Sequence, residues 1–146
     1  MIVAEFSWPV RVYYEDTDSG GVVYYANYLK FMERARTEWL RARGVEQDVL
    51  AREHGLIFAV RSLQMEYLKP ARFNQLLSVS VKVMASGKAS LSFEQTVNLI
   101  TNKGTEGEAS GALLCQGQVK IACLDAVTLK PRAMPVHVRE EILRDS

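Results

Sequence analysis

Apolar and polar residues change rhythm twice along the chain. Val10, Val12 and Tyr14 alternate with Arg11 and Tyr13, and the run Phe6–Tyr14 predicts a first strand with Pro9 placing its start near an edge. The spacing then becomes helical. Tyr28, Phe31, Met32, Ala35, Trp39 and Ala42 share one stripe, with Lys30, Arg34, Arg36, Glu38 and Arg41 on the other faces. A long helix is expected from Tyr25 or Asn27 to Arg43, ended by Gly44, and a shorter one over Val45–His54, ended by Gly55. From Leu56 the period returns to two. Leu63, Met65 and Tyr67 alternate with Ser62, Gln64 and Glu66 as far as Pro70, and Leu77, Val79, Val81 and Val83 alternate with Ser78, Ser80 and Lys82. After a Ser86–Lys88 turn, Leu91, Phe93, Val97 and Leu99 alternate with Ser90, Ser92, Glu94, Thr96 and Asn98. A polar, hairpin-like loop is expected over Thr101–Gly107. Leu113, Cys115, Val119, Ile121 and Cys123 mark one face of a last long strand, and a short helix is expected over Val136–Arg144.

This order is strand, long helix, then four strands joined mainly by short turns. It predicts an α+β fold, a mostly antiparallel five-stranded sheet covering one helix. One helix cannot cover both faces of such a sheet, so strand faces and edges are left over and a homo-oligomer is expected. The 146 residues suit a single domain, 1–146, without internal repeats.

Composition narrows the function classes. Eighteen basic against seventeen acidic residues give a formal charge of +1, which argues against a nucleic-acid protein. No apolar run reaches the ~18–20 residues of a membrane span, and the first ten residues do not read as a signal peptide, so a cytoplasmic protein is expected. Cys115 and Cys123 fall on one strand, ~26 Å apart at about 3.3 Å per residue, too far for a disulfide. With only His54 and His137 besides, no metal site is expected. Serine-hydrolase, Walker and dinucleotide-binding patterns are absent.

Chemistry concentrates between Tyr13 and Gly44. Asp16 and Asp18 stand just before the long helix, separated from it by Gly20 and Gly21. In a loop, aspartates usually make Asx-turns and caps. Here the glycines also allow close backbone approach, and Val22–Tyr25 is apolar and aromatic, so a carboxylate could face a dry pocket beside free helix N–H groups. Lys88 and Ser90, at a glycine turn, are either solvated or phosphate-holding. The basic segments Lys69–Arg72 and Lys130–Pro135 read singly as solubilising.

The run from Arg11 to Tyr28 resembles the signature of the 4-hydroxybenzoyl-CoA thioesterase family of hotdog-fold enzymes, and within it the YbgC-type acyl-CoA thioesterases associated with the Tol–Pal genes. Phe31–Glu38, Val60–Arg61, Glu66–Tyr67, Pro70–Arg72 and Leu129–Pro135 extend the resemblance over nearly the whole chain. It implies a hotdog fold, a curved antiparallel sheet wrapped around the long helix. It also implies dimers with a continuous sheet, often paired into a homotetramer, and active sites at the dimer interface. Asp18 is implied as the catalytic carboxylate, acting as nucleophile or general base, and the Tyr25 backbone N–H as the donor to the thioester carbonyl. Gly21, Val60, Lys88 and Ser90 are implied in substrate binding. Glu33 matches an acidic residue near the acyl pocket or serves on the surface. Many YbgC-type members carry His where this chain has Tyr25, which removes a candidate proton shuttle. The implied reaction is acyl-CoA hydrolysis to free acid and CoA, without a cofactor, and acyl carrier protein is a further partner. A hotdog dehydratase needs an active-site His that is missing near Asp18. The alternative is a non-catalytic acyl-thioester or acyl-carrier-protein binding scaffold linked to the cell envelope.

Overall fold

The computed structural model describes residues 5–100 and 111–144. Strand β1 spans Phe6–Arg11, helix α1 Asn27–Ala42, helix α2 Gln47–His54, and strands β2, β3 and β4 Leu56–Tyr67, Leu76–Ser86 and Ser90–Ile100. Strand β5 covers Leu113–Asp125 and helix α3 Val136–Leu143. The strands form one sheet in the order β1-β3-β4-β5-β2 with every pairing antiparallel. This is the hotdog arrangement, with α1 lying on β3 and β1. The Thr101–Gly107 loop lies outside the described residues.

Alternation dictates which face is dry. Leu77, Val79, Val81 and Val83 on β3, Leu91, Phe93, Val97 and Leu99 on β4, and Cys115, Val119, Ile121 and Cys123 on β5 are buried against α1. The helix answers with Tyr28, Phe31, Met32, Ala35, Trp39 and Leu40. Trp39 meets Phe93 edge to face at 5.4 Å between ring centroids, a geometry that adds ~0.5–1.5 kcal/mol to its area burial. Ser62, Gln64 and Glu66 on β2, Ser92, Glu94, Thr96 and Asn98 on β4, and Gln116, Gln118 and Lys120 on β5 occupy the opposite face, which no described element covers.

Four expectations need correction. The first strand stops at Arg11, not Tyr14: Tyr13 N–H donates to Asp16 Oδ2 at 2.8 Å, and the chain turns through a 3-10 segment, Tyr14–Asp16, that leaves Tyr14 exposed. Ala42 is exposed, because α1 ends there and Gly44 turns the chain at φ +80°. Arg36, expected off the buried stripe of the helix, is itself buried beneath the sheet. Leu63 and Tyr67 do not cover a core, since β2 is an edge strand paired only with β5 and only Met65 of its alternating set packs inward. The register of β2 shifts between Val60 and Ser62, so Arg61 bulges from the edge.

Candidate active site

The two aspartates have different local tasks. Asp16 closes the 3-10 turn with its side chain, and its main-chain oxygen accepts from Tyr24 N at 3.0 Å and from Asn27 Nδ2 at 2.8 Å. Asn27 is the first residue of α1, so this bond stitches the loop to the helix start. Asp18 sits in a tighter loop. Its N–H donates to Val22 O at 2.9 Å, its carbonyl accepts from Gly21 N at 3.0 Å, and its Oδ1 accepts from Gly20 N at 2.8 Å. That last bond is the Asx-turn an aspartate makes in a loop. It fixes one oxygen and leaves the other facing outward, since Asp18 is exposed. Both glycines have a reason here. Gly21 holds φ +79°, and a Cβ on Gly20 would stand only 3.2 Å from Asp18 Oδ1.

Neither aspartate caps α1. Its N-cap, Ala26, offers no side-chain acceptor. Asn27 N–H is taken by Tyr24 O at 2.8 Å, but the Tyr25 N–H has no acceptor among the described residues. The positive end of the helix dipole and an open donor therefore lie within one short segment of the Asp18 carboxylate. Such an arrangement can place negative charge on a carbonyl oxygen while a carboxylate attacks the carbon or activates water.

A cleft of about 250 Å³ adjoins this helix start, lined by Val23, Tyr25, Tyr28, Tyr67, Leu68, Lys69 and Pro70. Its far wall is pinned to the near one. Ala71 O accepts from Val23 N at 2.9 Å, and Ala71 N donates to Tyr28 Oη at 3.0 Å. The Tyr67 ring stands edge-on to Tyr25 at 6.1 Å and tilted to Tyr28 at 5.6 Å. Burial raises the Tyr28 phenol above its ordinary value, partly offset by the Ala71 hydrogen bond, and burial raises Tyr67 as well. Both phenols are neutral near pH 7.

Lys88, Ser90 and Val60 lie elsewhere. Asp18 follows the end of β1, where Arg11 opposes Leu76 and Leu76 opposes Ile100. Ser90 is at the other end of β4, ~33 Å from Ile100 at about 3.3 Å per residue. Lys88 belongs to the same hairpin, its carbonyl accepting from Met134 N at 3.0 Å. Val60 opposes Ile121, which opposes Leu91, so it too is at the Ser90 end. Within one chain, Asp18, Gly21 and Tyr25 cluster, and the other three are a sheet length away. Glu33 accepts from Thr37 Oγ1 at 2.7 Å on the exposed side of α1. Arg132 is more than a solubilising charge: it donates to His54 O at 3.0 Å and pairs with Asp125 at 3.5 Å. Among the described residues, no three His, Cys, Asp or Glu side chains are grouped to hold a metal ion, and no helix is long and apolar enough to cross a membrane.

Sequence reasoning missed two groups. Tyr28 and Tyr67 were read as a helix and a strand position and as parts of the family resemblance, without a role at the site, although they wall the cleft. Gln95 went unnoticed, although it falls on the apolar parity of β4 between Phe93 and Val97 and is fully buried. A polar residue at an inward position was the available signal.

Comparison with known proteins agrees with this architecture. Residues 20–103 match the thioesterase superfamily. The acyl-CoA thioester hydrolase YbgC of Escherichia coli O6:H1 is 41% identical over 136 residues, covering 93% of this chain and 94% of that protein. The acyl-CoA thioesterase YbgC of Haemophilus influenzae is 44% identical over 134 residues, 92% of this chain and 91% of that one. A probable thioesterase from Bartonella henselae, solved by crystallography, is 34% identical and superimposes with a TM-score of 0.78 over 90% of this chain and all of its own. The chain belongs to the thioesterase superfamily.

Proposed function

We propose that the protein hydrolyses acyl-CoA thioesters to the free acid and CoA, using Asp18 and the backbone N–H of Tyr25. The observation that carries this is the pairing of an outward-facing carboxylate with an uncapped helix start in one stitched segment. The thioester oxygen rests on the Tyr25 N–H, where the helix dipole stabilises the developing oxyanion. Asp18 supplies the second half. Either its carboxylate attacks the carbonyl carbon, expels CoA thiolate and leaves an anhydride that water opens, or it takes a proton from the water that attacks directly. Both routes add one water, break the C–S bond and return Asp18 ionised. The YbgC relatives support the acyl-CoA reading. A thioester on acyl carrier protein presents the same reacting atoms, and a cytoplasmic location accompanies a CoA substrate.

A dimer completes the site in this reading. Lys88, Ser90 and Val60 bind substrate only if another chain delivers them, because their own Asp18 is at the other end of the sheet. The β2 edge supports such a partner. It runs for 12 residues with one side unpaired in the sheet order, and Val60, Leu63 and Tyr67 are exposed along it. Antiparallel pairing of two β2 edges runs the Val60 end of one copy beside the Tyr67 end of the other. The polar outer sheet face leaves room for two such dimers to form a tetramer.

The test is thiol release from a panel of acyl-CoA and acyl-carrier-protein thioesters by wild-type protein and Asp18→Asn. Asparagine keeps the Oδ1 acceptor for Gly20 N–H, so the loop should survive. The expected loss in kcat is several hundred-fold or more, about 4 kcal/mol in barrier. Near-normal turnover by the variant would remove Asp18 from the chemistry. No turnover by wild-type protein on any thioester would favour a binding scaffold.

A further inference from the structure

The cleft beside α1 has a wall that the reaction does not need. Tyr67 is the last residue of β2 and opposes Cys115. Immediately after it the chain bends, with Leu68 N and Lys69 N both donating to Leu114 O at 2.9 and 3.0 Å. That bend and the Ala71–Tyr28 and Val23–Ala71 hydrogen bonds hold Tyr67 facing the first turn of α1. Tyr67 is 44% exposed, so it stands at the rim and does not fill the core. Behind it is the buried Cys115, and on either side are the rings of Tyr25 and Tyr28.

We propose that Tyr67 is the specificity-determining residue that limits the size of the acyl group. This rests on the acyl-thioester reading above. A thioester held by its oxygen on the Tyr25 N–H has two arms. The acyl arm suits the walls of Val23, Tyr25, Tyr28, Leu68 and Pro70, and Lys69, the cation in the same lining, suits the phosphate-bearing CoA arm. The cleft is small, about 250 Å³, and open to solvent, and Tyr67 forms its side at the end of β2. Of the rings at this cleft, Tyr28 is locked to Ala71 N, and Tyr25 is the residue whose backbone N–H holds the thioester oxygen in the reading above. Tyr67 is the wall whose removal enlarges the cleft at the end of β2, beside the edge proposed to pair with a second chain, without touching either reacting group.

The measurement is kcat/KM for butanoyl-CoA and octanoyl-CoA with wild-type protein, Tyr67→Phe and Tyr67→Ala. The ratio of the two substrates within one preparation does not depend on how much of it is folded. Tyr67→Phe should keep the wild-type ratio within about twofold, because it keeps the ring. Tyr67→Ala should raise the octanoyl-to-butanoyl ratio by about fourfold for each methylene newly buried, and so by at least ~10-fold in total. An unchanged ratio in Tyr67→Ala overturns the proposal, and so does a shift in Tyr67→Phe as large as in Tyr67→Ala. If wild-type protein releases no thiol from any acyl-CoA, the function reading fails and takes Tyr67 with it. If wild-type turns over and the alanine ratio stands still, Tyr67 alone is refuted.

Discussion

Replacing Gln95 with leucine should destabilise the protein by about 3 kcal/mol, although the side chain is wholly buried and leucine is of similar size. The cost comes from its partner. Arg36 Nη1 donates to Gln95 Oε1 at 2.8 Å, and this is the only acceptor for that guanidinium among the described residues. Arg36 is itself buried on the sheet side of α1, and burial lowers its pKa. Gln95 Nε2 also donates to Met32 O and to Ser80 O, each at 3.1 Å, so one amide joins α1, β3 and β4. Leucine would keep the volume and strand the cation. Removing one member of a buried charged pair costs ~3–5 kcal/mol, and the neutral acceptor here puts this case at the low end.

The same reasoning requires a rescue. In the double variant Gln95→Leu with Arg36→Met, both polar partners are gone and the two apolar side chains can pack together. Most of the lost stability should return, leaving a coupling of at least ~2 kcal/mol in the double-mutant cycle. Urea unfolding followed by tryptophan fluorescence reads all four proteins, and equal m-values would confirm a common unfolding reaction. A Gln95→Leu loss within ~0.5 kcal/mol, or a double variant whose losses simply add, would refute the claim that the buried Arg36 depends on this amide.

Two further outcomes concern the turn after β5. Leu129 is held at φ +61° with its side chain largely in water, so Leu129→Gly should stabilise by about 0.5–1 kcal/mol and raise Tm by ~2–4 °C; an unchanged or lower Tm in thermal unfolding counts against stored strain there. The Asp125 carboxylate accepts from Thr128 N and Val127 N at 2.9 Å, which with Arg132 nearby lowers its pKa. A depressed carboxylate stabilises above its ordinary value of ~3.9 and loses that contribution as pH falls through the folded-state value. The Tm gap between wild type and Asp125→Asn should therefore be constant above about pH 5 and shrink as the pH drops below about 4, and a gap that stays constant to about pH 3 would contradict this.

Where the sequence was legible, the reason is periodicity imposed by burial. The β3, β4 and β5 sets alternate because one face of each strand is dry, and the α1 stripe repeats because the same sheet covers it. Legibility failed where a single distant or local bond decides. The end of β1 depends on one hydrogen bond from Tyr13 to Asp16. The burial of Arg36 depends on a glutamine 59 residues away, and nothing in a helix stripe announces that an arginine has such a partner. The edge position of β2 was equally hidden, because alternation in Leu63, Met65 and Tyr67 looks the same in a central strand. The candidate site divided along the same line. Asp18, Gly21 and Tyr25 are close in sequence and stay close in space, whereas the spatial place of Lys88 and Ser90 depends on the strand order β1-β3-β4-β5-β2, which no local pattern carries.

That division has a physical consequence for how this fold can change. The carboxylate, the glycines and the open N–H all come from Asp18–Asn27, one stretch stitched to itself through Asp16 and Asn27. Its aim is set by the seating of α1, and Gln95 fixes that seating from β3 and β4. The Tyr67 wall of the cleft comes from the end of β2, an edge strand with few core contacts of its own. Substitutions at Tyr67 therefore leave the stitched segment and its anchor untouched, while substitutions at Gln95 disturb the helix start without altering the cleft wall. In the proposed enzyme the two classes separate in kinetics. Tyr67 variants redistribute kcat/KM among acyl groups, and a loosened α1 lowers kcat for all of them alike, because the oxyanion donor serves every substrate.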